Sequence, residues 1–364
     1  MEEVKYMSRA IRLAEKGVGW TRPNPLVGAV IVKDGRIIGE GYHAYFGGPH
    51  AEAAAFDACI ADPSGATVYV TMEPCSHTGK TPPCAKLLIE KKVARVVAAM
   101  TDPNPQVNGR GLKMLRDAGI TVESGLLEEK VRRQNEIFIK YITTGEPFVI
   151  LKTAMTLDGK IATVSNAYRW ITGEQSRRRV HKMRMQVAAV MTGIGTVLAD
   201  DPQLNVRLKK KVLRQPLKVI LDSGLRIPLT AALMRQDPQL TLIATTARAP
   251  EEKILALERL GVQVLAFPEH QGRVDLKSVI RALGAMEIDS VMIEGGSGMA
   301  FSALEAGVVD KVTAFIAPKI LGGNTAPTPV GGEGRERMED AFGLTGLEIR
   351  RLGEDFVIEG MIKK

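Results

Sequence analysis

The chain has 364 residues, 45% hydrophobic and 25% charged, with a formal net charge of +8. That length exceeds one ordinary core, so two domains are expected. No apolar run approaches the roughly 20 residues needed to cross a bilayer, and residues 1–12 mix both charge signs, unlike a secretory signal. No membrane association and a cytoplasmic location are expected.

Helix and strand patterns alternate along the first half. Residues 1–16 read as a helix. Residues 28–33 and 37–42 are short apolar runs around Lys33-Asp34-Gly35, a hairpin signal. Helices are expected at 50–60, 85–92 and 112–118, and strands at 67–71, 93–100 and 120–123. Residues 128–141 read as one more helix. The turn-rich Thr143-Thr144-Gly145-Glu146-Pro147 then marks a boundary, giving domains 1–145 and 146–364. The second half predicts strands at 148–154, 187–192, 217–221, 242–245, 262–266, 290–293 and 312–316, with helical patterns between several. Both halves are therefore α/β, the second with a mostly parallel sheet.

The charge excess is local. Residues 177–214 hold ten basic and two acidic side chains, a net +8. An anionic ligand is expected there, weighed against a solvated helix face and a basic loop at Lys209-Lys210-Lys211. Three cysteines are an odd number and suggest metal binding or burial rather than a disulfide framework. Cys59 follows an apolar helical stretch and reads as packed core. Cys75 and Cys84 sit among Pro, Gly, Thr and Ser, which is not core composition.

His50-Ala51-Glu52 and the pair Cys75 and Cys84 offer one imidazole and two thiolates, a set that suits Zn²⁺. Three protein ligands leave a fourth position open to water, the mark of a catalytic site. Glu52, two residues after His50 at the start of a helix, is placed to move protons without ligating metal. The Cys-x8-Cys spacing is longer than the general zinc-deaminase pattern. His77, inside that interval, offers the rival reading of a closed structural site. In the second half, Glu294-Gly295-Gly296-Ser297-Gly298 and Gly193-Ile194-Gly195-Thr196 each follow a predicted strand. Such turns can present backbone N–H groups to phosphate, although neither is a full dinucleotide fingerprint.

Several segments resemble one family closely. They are Asn24-Pro25-Leu26-Val27-Gly28, Gly41-Tyr42-His43, His50-Ala51-Glu52, the whole stretch from Glu73-Pro74-Cys75 to Cys84, Asp102-Pro103-Asn104-Pro105 and Gly109-Arg110-Gly111. In the second half, Leu151-Lys152-Thr153-Ala154-Met155-Thr156-Leu157-Asp158-Gly159-Lys160, Trp170-Ile171-Thr172, Asp200-Asp201-Pro202 and Glu294-Gly295-Gly296 continue the match. Together they resemble the bifunctional pyrimidine deaminase/reductase of riboflavin biosynthesis, the RibD family. The long loop between the cysteines is part of that family's pattern.

The resemblance implies a cytidine-deaminase-like αβα domain followed by a dihydrofolate-reductase-like α/β domain. It implies one Zn²⁺ per chain, NADPH and a small phosphorylated pyrimidine. The expected reactions are loss of the C2 amino group of 2,5-diamino-6-(5-phosphoribosylamino)pyrimidin-4-one, then reduction of the ribosyl side chain. His50, Cys75 and Cys84 would hold zinc, with Glu52 catalytic. Asn24 and His43 would line the pyrimidine pocket, with Asp102 and Asn104 beside it and Lys80 on the substrate phosphate. Ala154, Trp170, Thr196, Asp200, Ser223, Gly295, Gly296, Ser297 and Gly298 would contact NADPH. Arg184 and Arg207 would hold the ribose 5-phosphate. Lys152, Thr172, Leu204 and Glu294 would position the substrate, Glu294 orienting or protonating the sugar. Tyr168 and Arg169 stand where the family often has a small hydroxyl residue; Tyr168 can still donate to phosphate.

A nucleic-acid deaminase would share the zinc chemistry. It fits less well, because the charge excess lies in the second half and only 5% of residues are aromatic. A deaminase with a non-catalytic second domain is the other rival. The resemblance also implies a homo-oligomer, with the glycine-rich stretch after Leu321 as a candidate interface.

Overall fold

A computed structural model of the chain describes residues 2–76, 83–105, 107–165, 170–208 and 214–363. The chain divides into two units, Met1–Gly145 and Glu146–Lys364.

The first unit runs α1 (Glu2–Ala14), β1 (Gly28–Lys33), β2 (Arg36–Tyr42), α2 (Ala51–Asp57), β3 (Thr67–Val70) and α3 (Cys84–Glu90). It continues with β4 (Arg95–Ala98), α4 (Arg110–Asp117), β5 (Thr121–Ser124), α5 (Glu128–Gln134) and α6 (Glu136–Thr144). The sheet order is β2-β1-β3-β4-β5, with β1 antiparallel to both neighbours and β3, β4 and β5 parallel. Period-two alternation makes this sheet two-faced. Ala29 and Ile31 of β1 join Ala55 and Phe56 of α2, Leu88 of α3 and Leu115 of α4 in one core. Val30 and Val32 face the other way, onto Met7 and Ala10 of α1 and Val131 of α5. Three layers result, with buried strands between two helical faces.

The single helix expected over 128–141 is two helices. The break is at Asn135, whose backbone leaves the helical range at φ −110° and ψ 20°. Its side chain explains the break. Asn135 Oδ1 accepts from the Leu26 N–H at 2.8 Å, and Nδ2 donates to the Leu26 carbonyl at 3.1 Å. A buried amide thus clamps the loop that carries Asn24.

The second unit runs β6 (Phe148–Thr156), α7 (Glu174–Gln186), β7 (Ala189–Gly193), α8 (Ile194–Asp200), β8 (Leu217–Leu221), α9 (Ala232–Arg235), β9 (Thr241–Thr245) and α10 (Glu251–Arg259). There follow β10 (Gln263–Ala266), β11 (Glu269–His270), β12 (Arg273–Val274), α11 (Leu276–Ala285), β13 (Ser290–Glu294), α12 (Ser297–Glu305), β14 (Lys311–Ala317), β15 (Leu344–Leu352) and β16 (Asp355–Ile362). The large sheet has the order β10-β9-β8-β7-β13-β6-β14-β16-β15. Its first seven strands are parallel, as their Val/Ile/Leu-rich runs imply. Val149, Met191, Val219 and Ile293 pack with Val279 of α11 and Ala303 of α12. Val190, Ile220 and Met292 point to the opposite face and are equally buried. The order reverses around β13, which lies between β7 and β6, so ligands are expected at the carboxyl ends of these three strands.

The stretch after Leu321 contains two strands that the apolar patterns do not predict. β15 and β16 form an antiparallel hairpin added to the parallel sheet through β14. β15 is an edge strand, mostly exposed, with a register shift between Thr345 and Glu348. Its sequence therefore lacks the clean alternation of a half-buried strand. Among the described residues no helix is long and apolar enough to cross a membrane.

Candidate functional site

His50 ends a loop and caps α2 in an extended conformation, so its ring projects beside the first helical turn. Its Nδ1 faces both sulfurs, at 3.5 Å from Cys75 Sγ and 3.3 Å from Cys84 Sγ. A tetrahedral zinc centre, with Zn–N about 2.0–2.1 Å and Zn–S about 2.3 Å, separates nitrogen from sulfur by roughly 3.5 Å. All three ligand atoms lie within 4.8 Å of one another. The donor set and its spacing fit zinc. Cys84 opens α3, and its N–H donates to Cys75 Sγ at 3.3 Å. That hydrogen bonding to the Cys84 segment, against burial and with help from His50, holds the Cys75 thiol down at about 4. Cys75 and burial push the Cys84 thiol up. The pair thus shares one proton, which a divalent cation would displace.

Glu52, in the first turn of α2, is 3% exposed. Burial, and then the nearby Cys75 charge, push its carboxyl up to about 7. A group poised there can both accept and return a proton near neutrality. His43 is also buried, which pushes its pKa down. Its Nδ1 donates to the Pro49 carbonyl at 2.9 Å, which leaves Nε2 to accept from Asn24 Nδ2 at 3.2 Å. The rings of His43 and His50 meet edge to face, 5.7 Å apart. Asn24, His43 and His50 are therefore contiguous.

Asp102 and Asn104 follow β4 and are half-buried; the Asn104 N–H donates to Asp102 Oδ1 at 2.8 Å. Sequence reasoning missed the residue that places them. The buried Glu73 carboxylate accepts from the N–H groups of Asp102, Gly109, Gly111 and Leu112 at 2.8–3.3 Å. It fastens the Asp102 loop and the start of α4 to the segment bearing Cys75. A Cβ on Gly111 would lie 1.9 Å from the Pro74 carbonyl, so only glycine fits this contact. Lys80 and His77 lie outside the described residues, as do Tyr168, Arg169 and Lys209-Lys210-Lys211.

In the second unit Lys152, midway along β6, is the register partner of Glu294 at the carboxyl end of β13. Lys152 Nζ is 3.6 Å from Glu294 Oε2. Arg184 from α7 grips the same carboxylate with two hydrogen bonds, Nε to Oε1 at 2.6 Å and Nη2 to Oε2 at 2.9 Å. Burial favours the protonated acid, but Arg184 and Lys152 outweigh it and hold Glu294 at about 2. Glu294 is thus a carboxylate held between two cations. Arg184 also donates from Nη1 to the Asn205 carbonyl at 2.9 Å, leaving two of its five N–H groups for a ligand.

Arg207 stands near this pair, its Nη1 donating to Asn205 Oδ1 at 2.6 Å and Gln203 Oε1 at 3.0 Å. Its backbone N–H donates to His181 Nδ1 at 3.2 Å. Burial, then Arg184 and Arg207, push His181 down to about 4. His181, which the motifs do not mark, thus sits between Arg184 and Arg207. Leu204 is 3% exposed with φ +51°, so its backbone, not its side chain, could meet a ligand.

The two glycine-rich turns lie side by side because β7 and β13 are neighbours. Gly295 and Gly296 adopt φ of +82° and +76°, and a Cβ on either would press within 3.0–3.2 Å of Thr196. Ala154 lies two residues beyond Lys152 on β6. Trp170 is exposed, with the Arg177 guanidinium 4.3 Å from its ring centroid and Thr172 buried nearby in sequence. Arg177 Nη1 donates to the Thr172 carbonyl at 2.7 Å. Ser223 follows β8, its Oγ accepting from the Val274 N–H at 3.1 Å. Asp200 ends α8. Asp158 accepts from the Leu321 and Gly322 N–H groups at 3.1 and 2.6 Å, tying the end of β6 to the loop after β14.

Two family models match. The zinc-binding region of cytidine and deoxycytidylate deaminases matches residues 1–100, and the RibD C-terminal domain matches residues 147–358. The chain is thus a bifunctional enzyme, a cytidine-deaminase-like αβα domain of zinc-binding type followed by a dihydrofolate-reductase-like domain that implies a nicotinamide cofactor. Riboflavin biosynthesis protein RibD of Actinobacillus pleuropneumoniae is 48% identical over 362 residues, covering 100% of this chain and 96% of that protein. The Escherichia coli RibD protein is 43% identical over 371 residues, covering 98% of each. The solved Acinetobacter baumannii RibD, form 1, aligns with a TM-score of 0.88 at 38% identity over 100% of this chain and 99% of that one. A Thermotoga maritima diaminohydroxyphosphoribosylaminopyrimidine deaminase/5-amino-6-(5-phosphoribosylamino)uracil reductase aligns at 0.85 and 39% over the same shares. This chain belongs to the RibD family, and is a deaminase/reductase of riboflavin biosynthesis.

Proposed function

We propose that the first unit (1–145) hydrolytically deaminates 2,5-diamino-6-(5-phosphoribosylamino)pyrimidin-4-one. The second (146–364) then reduces the ribosyl side chain with NADPH, giving 5-amino-6-(5-phosphoribitylamino)uracil. The observation that carries the first step is His50 Nδ1 facing both Cys75 and Cys84 sulfurs, with Glu52 buried beside them. These three residues would hold one zinc ion, which would supply the Lewis acidity that makes water nucleophilic near neutral pH. Glu52 takes the attacking water's proton and passes it to a ring nitrogen, then to the departing ammonia. Asn24 and His43 orient the pyrimidine. Asp102, Asn104 and Lys80 complete the substrate's surroundings.

In the second unit NADPH, when bound, would supply the hydride for C1′ of the opened sugar. Ala154, Trp170, Thr196, Asp200, Ser223 and the Gly295–Gly298 turn seat the cofactor. Lys152, Thr172, Leu204 and Glu294 position the sugar. Arg184 and Arg207, brought together through Asn205, would hold the ribose 5-phosphate, because guanidinium matches phosphate geometry. Tyr168 is assigned to the same phosphate on the resemblance alone.

A small phosphorylated substrate accounts for the basic segment without invoking nucleic acid. Leu347 and Ile349, exposed on the edge strand β15, support a homo-oligomer built through the C-terminal hairpin. We place the enzyme in the cytoplasm. Arg207→Ala is expected to raise the reductase KM for the deaminated phosphate at least tenfold while ammonia release stays at the wild-type rate. Steady-state kinetics of both reactions check this, and an equal fall in both would contradict the division into two sites.

A further inference from the structure

Residues 201–208, which begin the connection from α8 to β8, form neither helix nor strand, yet they carry Arg207. Side chains supply the order that secondary structure does not. Leu204 and Val206 are buried and anchor the segment from within. The consecutive backbone groups from the Asn205 carbonyl to the Arg207 N–H then each meet a side chain. The Asn205 carbonyl accepts from Arg184 Nη1 at 2.9 Å. Gln215 takes both groups of Val206, Oε1 accepting from its N–H at 2.7 Å and Nε2 donating to its carbonyl at 3.2 Å. The Arg207 N–H donates to His181 Nδ1 at 3.2 Å.

His181 and Arg184 lie three residues apart on α7 and so share one face of it. That face holds both ends of the stretch, with an arginine on the Asn205 carbonyl and a histidine on the Arg207 N–H. The Arg207 guanidinium folds back onto the same segment, Nη1 donating to Gln203 and Asn205. Asn205 Nδ2 passes the chain of contacts on to Gln236 Oε1 at 3.2 Å.

The charges explain why a histidine stands here. The residue that takes this N–H must offer a lone pair without adding a third positive charge beside two guanidinium groups. Lys and Arg have no lone pair to offer, and a carboxylate would pair with the arginines in place of an anionic ligand. Burial, then Arg184 and Arg207, outweigh Glu294 and hold the imidazole at about 4. The ring is therefore neutral near physiological pH, with its proton on Nε2 and Nδ1 able to accept.

We propose that His181 is a positioning residue of the reductase: by accepting from the Arg207 N–H it fixes Arg207 beside Arg184, and so sets the site's grip on the substrate's ribose 5-phosphate. It acts through Arg207 and not on the substrate. This role rests on the reading of Arg207 as a phosphate holder, so the test separates the two.

The full-length, zinc-loaded protein is assayed for reduction of the deaminated pyrimidine phosphate, with the same compound lacking its phosphate added as a competitor. KM and kcat are read for the first and Ki for the second. In wild type KM is expected to lie at least tenfold below Ki. His181→Leu should raise KM about tenfold, the usual weight of a hydrogen bond left unmade, while kcat and Ki stay close to wild type. His181→Ala, with no bulk to misplace, should match it. His181→Asn should restore KM, because Asn Oδ1 takes the branch position of Nδ1 and can accept. His181→Leu added to Arg207→Ala should cost nothing further, since both act on one contact. KM and Ki do not depend on the folded fraction, so partial unfolding cannot imitate this pattern. An unchanged KM in Arg207→Ala would sink the phosphate reading and this role with it. A raised KM in Arg207→Ala without one in His181→Leu and His181→Ala would overturn the role of His181 alone. So would an equal rise in KM and Ki, or no rescue by His181→Asn, either of which marks a side chain that serves only the fold.

Discussion

Replacing Glu52 by Gln is expected to cut ammonia release by about 10²–10⁴-fold, the usual weight of a positioned acid–base group, and to leave zinc bound. The amide matches the carboxylate in shape, so His50, Cys75 and Cys84 keep their places. What is lost is a group that burial tunes to about 7. An amide can neither take the proton from water nor return it to the leaving amine. Metal content by emission spectroscopy and ammonia by a coupled assay separate the two effects. Loss of zinc together with activity would make Glu52 part of the metal's support instead of a proton carrier.

The second large effect is expected at Glu294. Its carboxylate stands between Arg184 and Lys152 in a buried setting. Glu294→Gln removes one negative charge and leaves two cations facing each other without compensation. Breaking a buried ionic cluster in this way costs about 3–5 kcal/mol. Reduction should fall at least a hundredfold, with deamination unchanged. The pH dependence has a definite sign. Glu294 is held at about 2, below its ordinary value of 4.5. It therefore contributes stability that is fully present above about pH 4.5 and is lost as pH falls towards 2. Urea unfolding of wild type and variant across pH 2–6 should show their difference shrinking on acidification. A constant difference would mean that the ion pairs do not govern the variant's loss.

The zinc cluster was legible because its chemistry is local. His50-Ala51-Glu52 falls within one helical turn, and Cys84 begins the next helix. The parallel strands were legible from their apolar runs, and β13 with its glycine turn from a strand followed by Gly-Gly. The residues missed act across long sequence separations. Glu73 holds backbone 29 to 39 residues away, and Asn135 breaks a helix to grip Leu26, 109 residues earlier. Neither partner is marked by composition or periodicity. His181 looked like one more polar residue on a basic helix until Arg207 was folded against it. The β15–β16 hairpin escaped because an exposed edge strand need not alternate.

The central claim is two reactions in one chain, deamination first. The most direct test gives purified, zinc-loaded protein either the aminated pyrimidine phosphate or its deaminated product. Ammonia and NADPH are followed together in each case. The account predicts NADPH oxidation with both compounds, ammonia only with the first, and in Glu52→Gln oxidation with the deaminated compound alone. Ammonia without any NADPH oxidation would contradict it, leaving a zinc deaminase whose second domain does other work.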